Sequence, residues 1–195
     1  MFDLFGKPEK FFPAKEVKTA DFSTFVAFDI ETTGLPRNSE IIEIGAVKVV
    51  NGVICDSFQE FVNPGILIPP AITQITGITD EMVCDADRIY DVLPRFKAFA
   101  GSNILVGHNA INFDCKIMGH WADEYGIYID NDVFDTLRFV RYRCEAFPGL
   151  LCNKLSVLCD YFGITSDTYH RADADAEVTA KLYLTLQQKA ILKKK

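Results

Sequence analysis

The sequence predicts a single α/β domain with a mixed central sheet, an N-terminal β-meander and helices packed on the sheet. Two β-rich runs, residues 41–50 and 53–62, are separated by Asn51-Gly52, a dipeptide that strongly favours a tight hairpin. An apolar run at residues 25–30 precedes them, and short apolar runs alternate with helical patterns later in the chain. Because a meander gives antiparallel strands and strand–helix alternation gives parallel ones, we expect both pairings in one sheet.

Each element follows from its composition and from its turn residues. Residues 25–30 form a strand because an aromatic and aliphatic run ends at a Thr-Thr-Gly turn. Residues 64–77 contain two adjacent prolines and are predicted to be a loop. The remaining predictions, in order, are helical segments from Asp80 and from Asp91 to Gly101 with Pro94 in a first turn, a strand at 104–106, a helix at 112–125, a strand at 133–134, and helices at 136–145, 154–162 and 172–188.

The composition limits the domain organisation and the location. At 195 residues and 49% hydrophobic, the chain can fill one core. We expect a flexible tail at residues 1–20, a folded domain at 21–190 and a basic C-terminal end at 191–195. There is no apolar run of membrane-spanning length, no signal-peptide pattern and no C-x-x-C pair among six cysteines, so we expect a cytoplasmic protein with reduced thiols and no membrane partner.

The net charge of −7 restricts how the chain could bind a nucleic acid. Proteins that hold a polyanion by neutralising many phosphates are usually basic. A nucleic-acid partner should therefore be bound locally and weakly, through metal ions and a short basic patch.

Two carboxylates lie at the end of the first predicted strand. Side chains alternate along a strand, so Asp29 and Glu31 point to the same face. Left alone they repel each other, and each raises the pKa of the other. A hard divalent cation such as Mg²⁺ or Mn²⁺ removes the conflict, because it binds carboxylate oxygens. The alternative is that Glu31 extends into solvent beyond the strand.

Two further acids begin predicted helices and point inward. At about 100° per residue, Asp114 and Asp175 each lie on the apolar face of their own helix. Interaction with the helix dipole would explain their first-turn position but not the face they occupy. Two inward acids at helix starts, together with Asp29 and Glu31 at a strand end, predict one shared metal site.

Two histidines have contrasting predicted roles. His170 stands five residues before Asp175, about 140° away if both were helical, so it belongs to the loop that enters the last helix. A loop histidine beside carboxylates can titrate near neutral pH and take a proton from water. The alternative is a surface histidine without a chemical role. His108 is predicted to fix the loop before the Asp114 helix.

Three separated blocks contain these acids and the loop histidine: residues 29–35 (DIETTGL), 107–114 (GHNAINFD) and 170–176 (HRADADA). In order and separation they resemble the three exonuclease motifs of the DEDDh family, which includes the proofreading epsilon subunit of bacterial DNA polymerase III. Residues 75–80 (ITGITD) resemble a segment that this family often carries between the first two motifs. The resemblance covers about residues 22–190.

This resemblance implies an RNase H-like fold and a 3′→5′ exonuclease that releases nucleoside monophosphates from single-stranded or mispaired DNA. It also implies two Mg²⁺ or Mn²⁺ ions bridged by Asp29. Glu31 and Asp175 would bind the ion that holds the attacking water, and Asp114 would serve the second ion. His170 would be the general base.

The resemblance further implies that the terminal nucleotide lies against the backbone of Thr32, Thr33, Gly34 and Leu35. Leu35 and Phe113 are candidates to pack on or wedge the last bases. Each of these two side chains fits a core or rim position equally well.

A basic patch and the N-terminus are candidate partner sites. Arg138 and Arg141 share a predicted helix face with aromatic neighbours, as single-strand binding requires, although a solvated face fits equally. Residues 1–5 loosely resemble motifs that bind the sliding clamp, but they lack the usual glutamine, and a frayed terminus is the alternative. A replicative polymerase is a further possible partner.

Two other functions are compatible with the same motifs. An exoribonuclease that trims RNA 3′ ends would have the same fold, and selection against RNA depends on contacts to the 2′-OH. The Glu-Thr-Thr-Gly form of the first motif favours the DNA-proofreading branch. A non-catalytic nucleic-acid-binding scaffold is disfavoured, because all five chemical positions are filled.

Overall fold

The computed structural model describes residues 15–18, 22–143, 147–150, 152–165 and 171–192. Within these residues it contains six strands and seven helices. In chain order they are β1 Glu16–Val17, β2 Phe25–Thr32, β3 Ile41–Val50, β4 Val53–Phe61, α1 Pro70–Thr76, α2 Asp80–Val83, α3 Ile89–Ala100, β5 Leu105–Gly107, α4 Asp114–Tyr125, β6 Val133–Asp135, α5 Thr136–Tyr142, α6 Leu155–Phe162 and α7 Ala172–Leu192.

The strands form one mixed sheet in the order β1-β6-β5-β2-β3-β4. Strands β2, β3 and β4 are an antiparallel meander, whereas β5 pairs in parallel with β2 and with β6. Asn51 and Gly52 have positive φ angles of 51° and 79°, as the tight hairpin between β3 and β4 requires. The predicted fold class, with its meander followed by strand–helix alternation, is confirmed.

Helices cover both faces of the sheet, and β2 supplies side chains to each. Its even-numbered residues, such as Phe28, join a core formed with α3 and α4. Its odd-numbered residues, such as Phe25, join a second core formed with α7. There the ring of Phe25 lies edge-on to the ring of the buried Tyr183, with 4.6 Å between the two ring centres. Since side chains alternate, Asp29 and Glu31 continue the row that faces α7.

Two predictions for the region between β4 and β5 were wrong. Residues 70–76 form helix α1 within the segment predicted to be a loop, because Pro70 suits a first helical position and Gly77 (φ 72°) ends the helix. Helix α3 begins at Ile89, so Pro94 lies inside the helix rather than in its first turn. Ile89 and Val92 are buried, and their packing stabilises the helical turn before Pro94. The helix therefore starts early even though Pro94 cannot donate a backbone hydrogen bond.

The predicted tail contributes a strand to the sheet. Glu16 and Val17 pair in parallel with Val133 and Phe134 at the edge of the sheet. No local pattern predicted this pairing, because the partner strand lies more than a hundred residues away and β1 is only two residues long. The domain boundaries at 20 and 190 stay predictions, and residues 1–14, 144–146 and 193–195 lie outside the described residues.

A search of the part of the chain that the structure describes finds no helix with the length and apolar character needed to span a bilayer.

We expect Phe96→Ala to lower the free energy of unfolding by about 3–5 kcal/mol, because it leaves a cavity in the larger core. Phe96 is fully buried, and its ring contacts those of Phe28 and Phe58. Urea unfolding measures the change. Val53→Ala is the control, because Val53 is 65% exposed and its truncation should change stability by no more than about 0.5 kcal/mol. Equal effects of the two substitutions would contradict this core assignment.

Candidate active site

Three of the predicted acids form a cluster at the end of β2. One oxygen from each of Asp29, Glu31 and Asp175 lies within 4.8 Å of the oxygens of the other two. Asp175 is buried in the first turn of α7, and Glu31 is only partly exposed. Glu31 therefore does not extend freely into solvent, and α7 brings Asp175 to the face that Asp29 and Glu31 share.

The fourth acid reaches the same strand end from the opposite layer of helices. Asp114 is the first residue of α4 and is 3% exposed. Its Oδ1 accepts a hydrogen bond of 3.2 Å from the backbone N–H of Ile30, the residue between Asp29 and Glu31. The structure thus brings together the four acids that the sequence placed at one site.

The electrostatics of this cluster are unfavourable for four negative charges. Burial raises the pKa of Asp29 well above its ordinary value, and the charges of Asp114, Glu31, Asp175 and Glu43 raise it further. Burial, followed by the charges of Asp175, Glu43 and Asp114, raises the pKa of Glu31 to about 8. Burial also raises the pKa of Asp114 to about 7, although the N–H of Ile30 opposes this shift. Full ionisation therefore requires compensating positive charge.

The side chains present fit a hard divalent cation. The clustered donor atoms are all carboxylate oxygens, which Mg²⁺ and Mn²⁺ prefer, and no cysteine or histidine joins the described cluster. Asp29, Glu31 and Asp175 are close enough for one ion to contact more than one of them. Asp114 adds a further carboxylate at the same strand end.

The loop after β2 is shaped by its two threonines. The Thr32 hydroxyl donates to the carbonyl oxygen of Gly34 at 2.6 Å, and the Thr33 hydroxyl accepts from the backbone N–H of Glu40 at 3.0 Å. Leu35 is 82% exposed, which excludes a core position for it. The proposed contacts of Thr32, Thr33, Gly34 and Leu35 with a nucleotide stay predictions.

The two predicted basic residues have different surroundings. Arg138 forms an ion pair of 2.6 Å with Glu16 and donates to the side chain of Asn112 at 2.9 Å. Arg141 is exposed and lines a cavity of about 860 Å³ whose wall includes Asp175. Of these two arginines, Arg141 lines the cavity, whereas Arg138 is held by the carboxylate of Glu16, a residue far away in the sequence. Their shared role in strand binding stays a prediction.

Phe113 precedes the first turn of α4 and is partly buried against the larger core. Because part of its ring is exposed beside Asp114, it occupies a rim position. A contact with the last base of a strand stays a prediction for this residue.

His108 anchors the loop before α4, as predicted. Its Nε2 donates to the backbone oxygen of Asn153 at 3.0 Å, and its Nδ1 lies 2.8 Å from the hydroxyl oxygen of Thr136. Because a carbonyl oxygen only accepts, the neutral ring carries its proton on Nε2. Burial lowers the pKa of His108, which favours this neutral form. His170, the predicted general base, lies outside the described residues.

Sequence reasoning missed Asp135, which shapes the same loop. The Asp135 carboxylate accepts from the backbone N–H groups of Asn109 and Ile111 at 3.2 and 3.1 Å. It also caps α5 by accepting from the N–H of Arg138. An acid at the end of the short strand β6 was the only available signal, and its partners could not be read from spacing.

Comparisons with known proteins agree with this geometry. The sequence profile of the exonuclease family (RNase_T) matches residues 26–183. The chain belongs to the exonuclease family. Within the family, the DNA polymerase III subunit epsilon of Aquifex aeolicus is 37% identical over 165 residues, which are 84% of this chain and 80% of that protein.

A PolC-type DNA polymerase III of Caldanaerobacter subterraneus subsp. tengcongensis is 45% identical over 166 residues. The match covers 85% of this chain but only 12% of that relative, so the chain spans a small part of the PolC-type proteins it matches.

Solved structures of other exonucleases share the fold. Exonuclease X in complex with 5′ overhanging duplex DNA has a TM-score of 0.71 and 27% identity, and the match covers 85% of this chain and 92% of that one. Escherichia coli exonuclease I in complex with a dT13 oligonucleotide has a TM-score of 0.75 and 20% identity over 88% of this chain and 43% of that one, which shows the fold alone. The predicted RNase H-like fold and membership of an exonuclease family are confirmed.

We expect the metal-free protein to lose stability as the pH rises from about 5 to about 8.5. Glu31 has an ordinary pKa of 4.5 and a pKa of about 8 in the folded structure. Because the folded state binds this proton more tightly, the stabilising contribution is complete below pH 4.5 and is lost as the pH rises through about 8. The thermal unfolding midpoint in a chelator measures this loss.

Glu31→Gln is the matched control, because it removes the titrating group and should make the pH dependence shallower. Added Mn²⁺ should restore the midpoint most strongly at the alkaline end, where the carboxylates are ionised. Identical pH profiles for the wild-type protein and Glu31→Gln would contradict the pKa assigned to Glu31.

Proposed function

We propose that the chain is a 3′→5′ exonuclease that releases nucleoside monophosphates from the 3′ end of single-stranded or mispaired DNA. Two Mg²⁺ or Mn²⁺ ions would be held by Asp29, Glu31, Asp114 and Asp175. The observation that carries the proposal is the meeting of these four carboxylates at one strand end in a chain of the exonuclease family.

The cluster is suited to phosphodiester hydrolysis because its carboxylates can bind positively charged metal ions at one place. Divalent ions held by these residues would supply positive charge that stabilises the attacking and leaving oxygens of an in-line displacement at phosphorus. Glu31 and Asp114, whose pKa values are raised to about 8 and about 7, would have to lose their protons to serve as ligands of these ions. Burial on rigid elements fixes their positions before the substrate arrives.

His170 is the proposed general base. It directly precedes Arg171 and the first turn of α7, the turn that presents Asp175 to the cluster. From its position in the sequence just before this helix, its imidazole would accept the proton of the attacking water. The family motif at residues 170–176 supports this assignment.

Local contacts would hold the DNA strand. Leu35 projects from the loop after β2, and Arg141 and Lys154 contribute positive charge to the cavity that Asp175 also lines. Such a short basic surface suits a chain with a net charge of −7, because it binds only the last few phosphates. DNA is the proposed substrate because the relatives above are DNA polymerase III proteins and exonuclease X is seen with duplex DNA.

A replicative polymerase is the proposed partner, supported by the similarity to an epsilon subunit and to PolC-type DNA polymerase III proteins. The same bacterial relatives support a cytoplasmic location. Binding of residues 1–5 to a sliding clamp stays a prediction from the sequence, because those residues lie outside the described part of the chain.

We expect Asp29→Asn to abolish Mg²⁺-dependent mononucleotide release while the protein stays folded, because it removes a central carboxylate of the cluster. The assay uses 5′-labelled single-stranded DNA, DNA with a mispaired 3′ end and RNA of matched sequence, each with Mg²⁺, Mn²⁺ or a chelator. Asp130→Asn is the control, since Asp130 is an exposed carboxylate that pairs with Lys97. Wild-type activity in Asp29→Asn would contradict the proposed site. Preferential cleavage of RNA by the wild-type protein would show that RNA, and not DNA, is the substrate.

We expect His170→Ala to reduce kcat by about 10²–10⁴-fold, as loss of a general base commonly does. Mn²⁺ affinity should be retained, because the carboxylates are intact, and the acidic limb of the kcat–pH profile should disappear. His120→Ala, which removes a histidine on α4 that packs against Trp121, is the control. An unchanged pH profile in His170→Ala would exclude this histidine as the base.

A further inference from the structure

Glu43 is a fully buried carboxylate next to the proposed metal-binding acids. It lies on β3 directly opposite Glu31 in the antiparallel pairing with β2, and its exposed fraction is 0%. It therefore shares the face of the sheet that α7 covers. A carboxylate at zero exposure is unfavourable unless it is paired and hydrogen-bonded, so its partners indicate what it does.

Two of the three residues that donate hydrogen bonds to Glu43 lie at the start of α7, and the third lies on β4. Arg171 donates to Oε1 from Nη2 at 2.7 Å and to Oε2 from Nε at 3.2 Å. The backbone N–H of Ala172 donates to Oε2 at 3.0 Å, and the side chain of Gln59 donates to Oε1 at 2.8 Å. The Arg171 guanidinium also lies 5.3 Å from the centre of the Phe61 ring. Glu43 thus binds one residue by its side chain and the next by its backbone.

Gly45 allows the start of α7 to contact the sheet. It lies on the same face as Glu43 and directly opposite Asp29 in the strand pairing. A Cβ at this position would lie 2.1 Å from the carbonyl carbon of Ala172, so any side chain would push the helix away. The sheet therefore holds the first turn of α7 at a fixed height beside Asp29.

This contact is continuous with the proposed active site. The backbone N–H of Asp175 donates to the carbonyl oxygen of Arg171 at 2.9 Å, so both residues belong to one helical turn. Arg171 also directly follows His170 in the sequence. A shift of Arg171 and Ala172 would therefore move Asp175 relative to Asp29 and Glu31.

We propose that Glu43 is a positioning residue that, through Arg171 and the N–H of Ala172, sets the place of Asp175 in the metal-binding cluster. This inference rests on the proposed function, because it assigns Asp175 to the binding of a divalent ion. Arg171 neutralises Glu43, so Glu43 serves the site through α7 and not as a ligand. Glu43→Gln leaves Arg171 without its buried counter-charge and loosens this turn.

The test compares the wild-type protein with Glu43→Gln, measuring Mn²⁺ affinity by titration calorimetry and kcat and KM on a single-stranded DNA oligomer. We expect the Mn²⁺ dissociation constant to rise and kcat to fall, each by about 10–100-fold, as for other residues that orient metal ligands. KM should stay unchanged, because the hydrogen-bond partners of Glu43 among the described residues are not residues proposed to bind the strand.

Glu60→Gln is the matched control. Glu60 forms a similar ion pair of 2.5 Å with Arg95, but it lies opposite Ile44 in the strand pairing and therefore on the other face of the sheet. Both substitutions remove a carboxylate that is paired with an arginine, although the Glu60 side chain is 28% exposed and that of Glu43 is buried. An effect that comes only from losing an arginine–carboxylate pair would therefore appear in both. Only Glu43→Gln should weaken Mn²⁺ binding.

Arg171→Gln provides a second variant, and it decides the question if Glu43→Gln does not fold. Because the two residues act as a pair, the variant with both substitutions should bind Mn²⁺ no more weakly than the single variant with the lower Mn²⁺ affinity. Wild-type Mn²⁺ affinity and kcat in folded Glu43→Gln, or in Arg171→Gln as the substitute, would overturn this inference alone. Failure of the wild-type protein to bind Mn²⁺ and degrade DNA would overturn the proposed function together with it.

Discussion

Carboxylates that lie together at the end of β2 repel one another, and the surrounding strand and helices have to hold them in place against this repulsion. Asp29, Glu31 and Asp175 have oxygens within 4.8 Å of one another, and Asp114 contacts the backbone between the first two. Burial removes water that would solvate the charged form, and it is the largest cause of the raised pKa values of Asp29, Glu31 and Asp114. The fold maintains this arrangement with a rigid strand and with two helices that begin at the same point.

The two layers of helices contribute to the site in different ways. Helix α7 packs on the face that Asp29 and Glu31 share, whereas α4 packs on the opposite face and brings Asp114 to the strand end. The fifth acid nearby, Glu43, is neutralised by Arg171 within the protein. One buried carboxylate is therefore compensated by an arginine, and the other four remain together at a site whose oxygen ligands suit divalent ions.

Local patterns predicted much of this arrangement. The Asn51-Gly52 turn, the alternation of β2 and the helical angles of Asp114 and Asp175 depend only on near neighbours, and the structure agrees with each of them. The segment at residues 70–76 was wrongly predicted to be a loop because adjacent prolines are typical of loops. Pro70, the second of the two, suits the first turn of a helix. Membership of the exonuclease family comes from the sequence comparison, and it could not be inferred from net charge or from periodicity.

Strand and helix periodicity were enough to predict the fold class and a site shared by Asp29, Glu31, Asp114 and Asp175, because periodicity sets which side chains share a face. The tertiary structure was needed to show which charges meet. It pairs Glu43 with Arg171 and Arg138 with Glu16, residues more than a hundred positions apart. It also places Gly45 against Ala172. The physical reason is that such pairs depend on the stacking of a helix on a sheet or on the order of strands, and a periodic pattern carries no record of either.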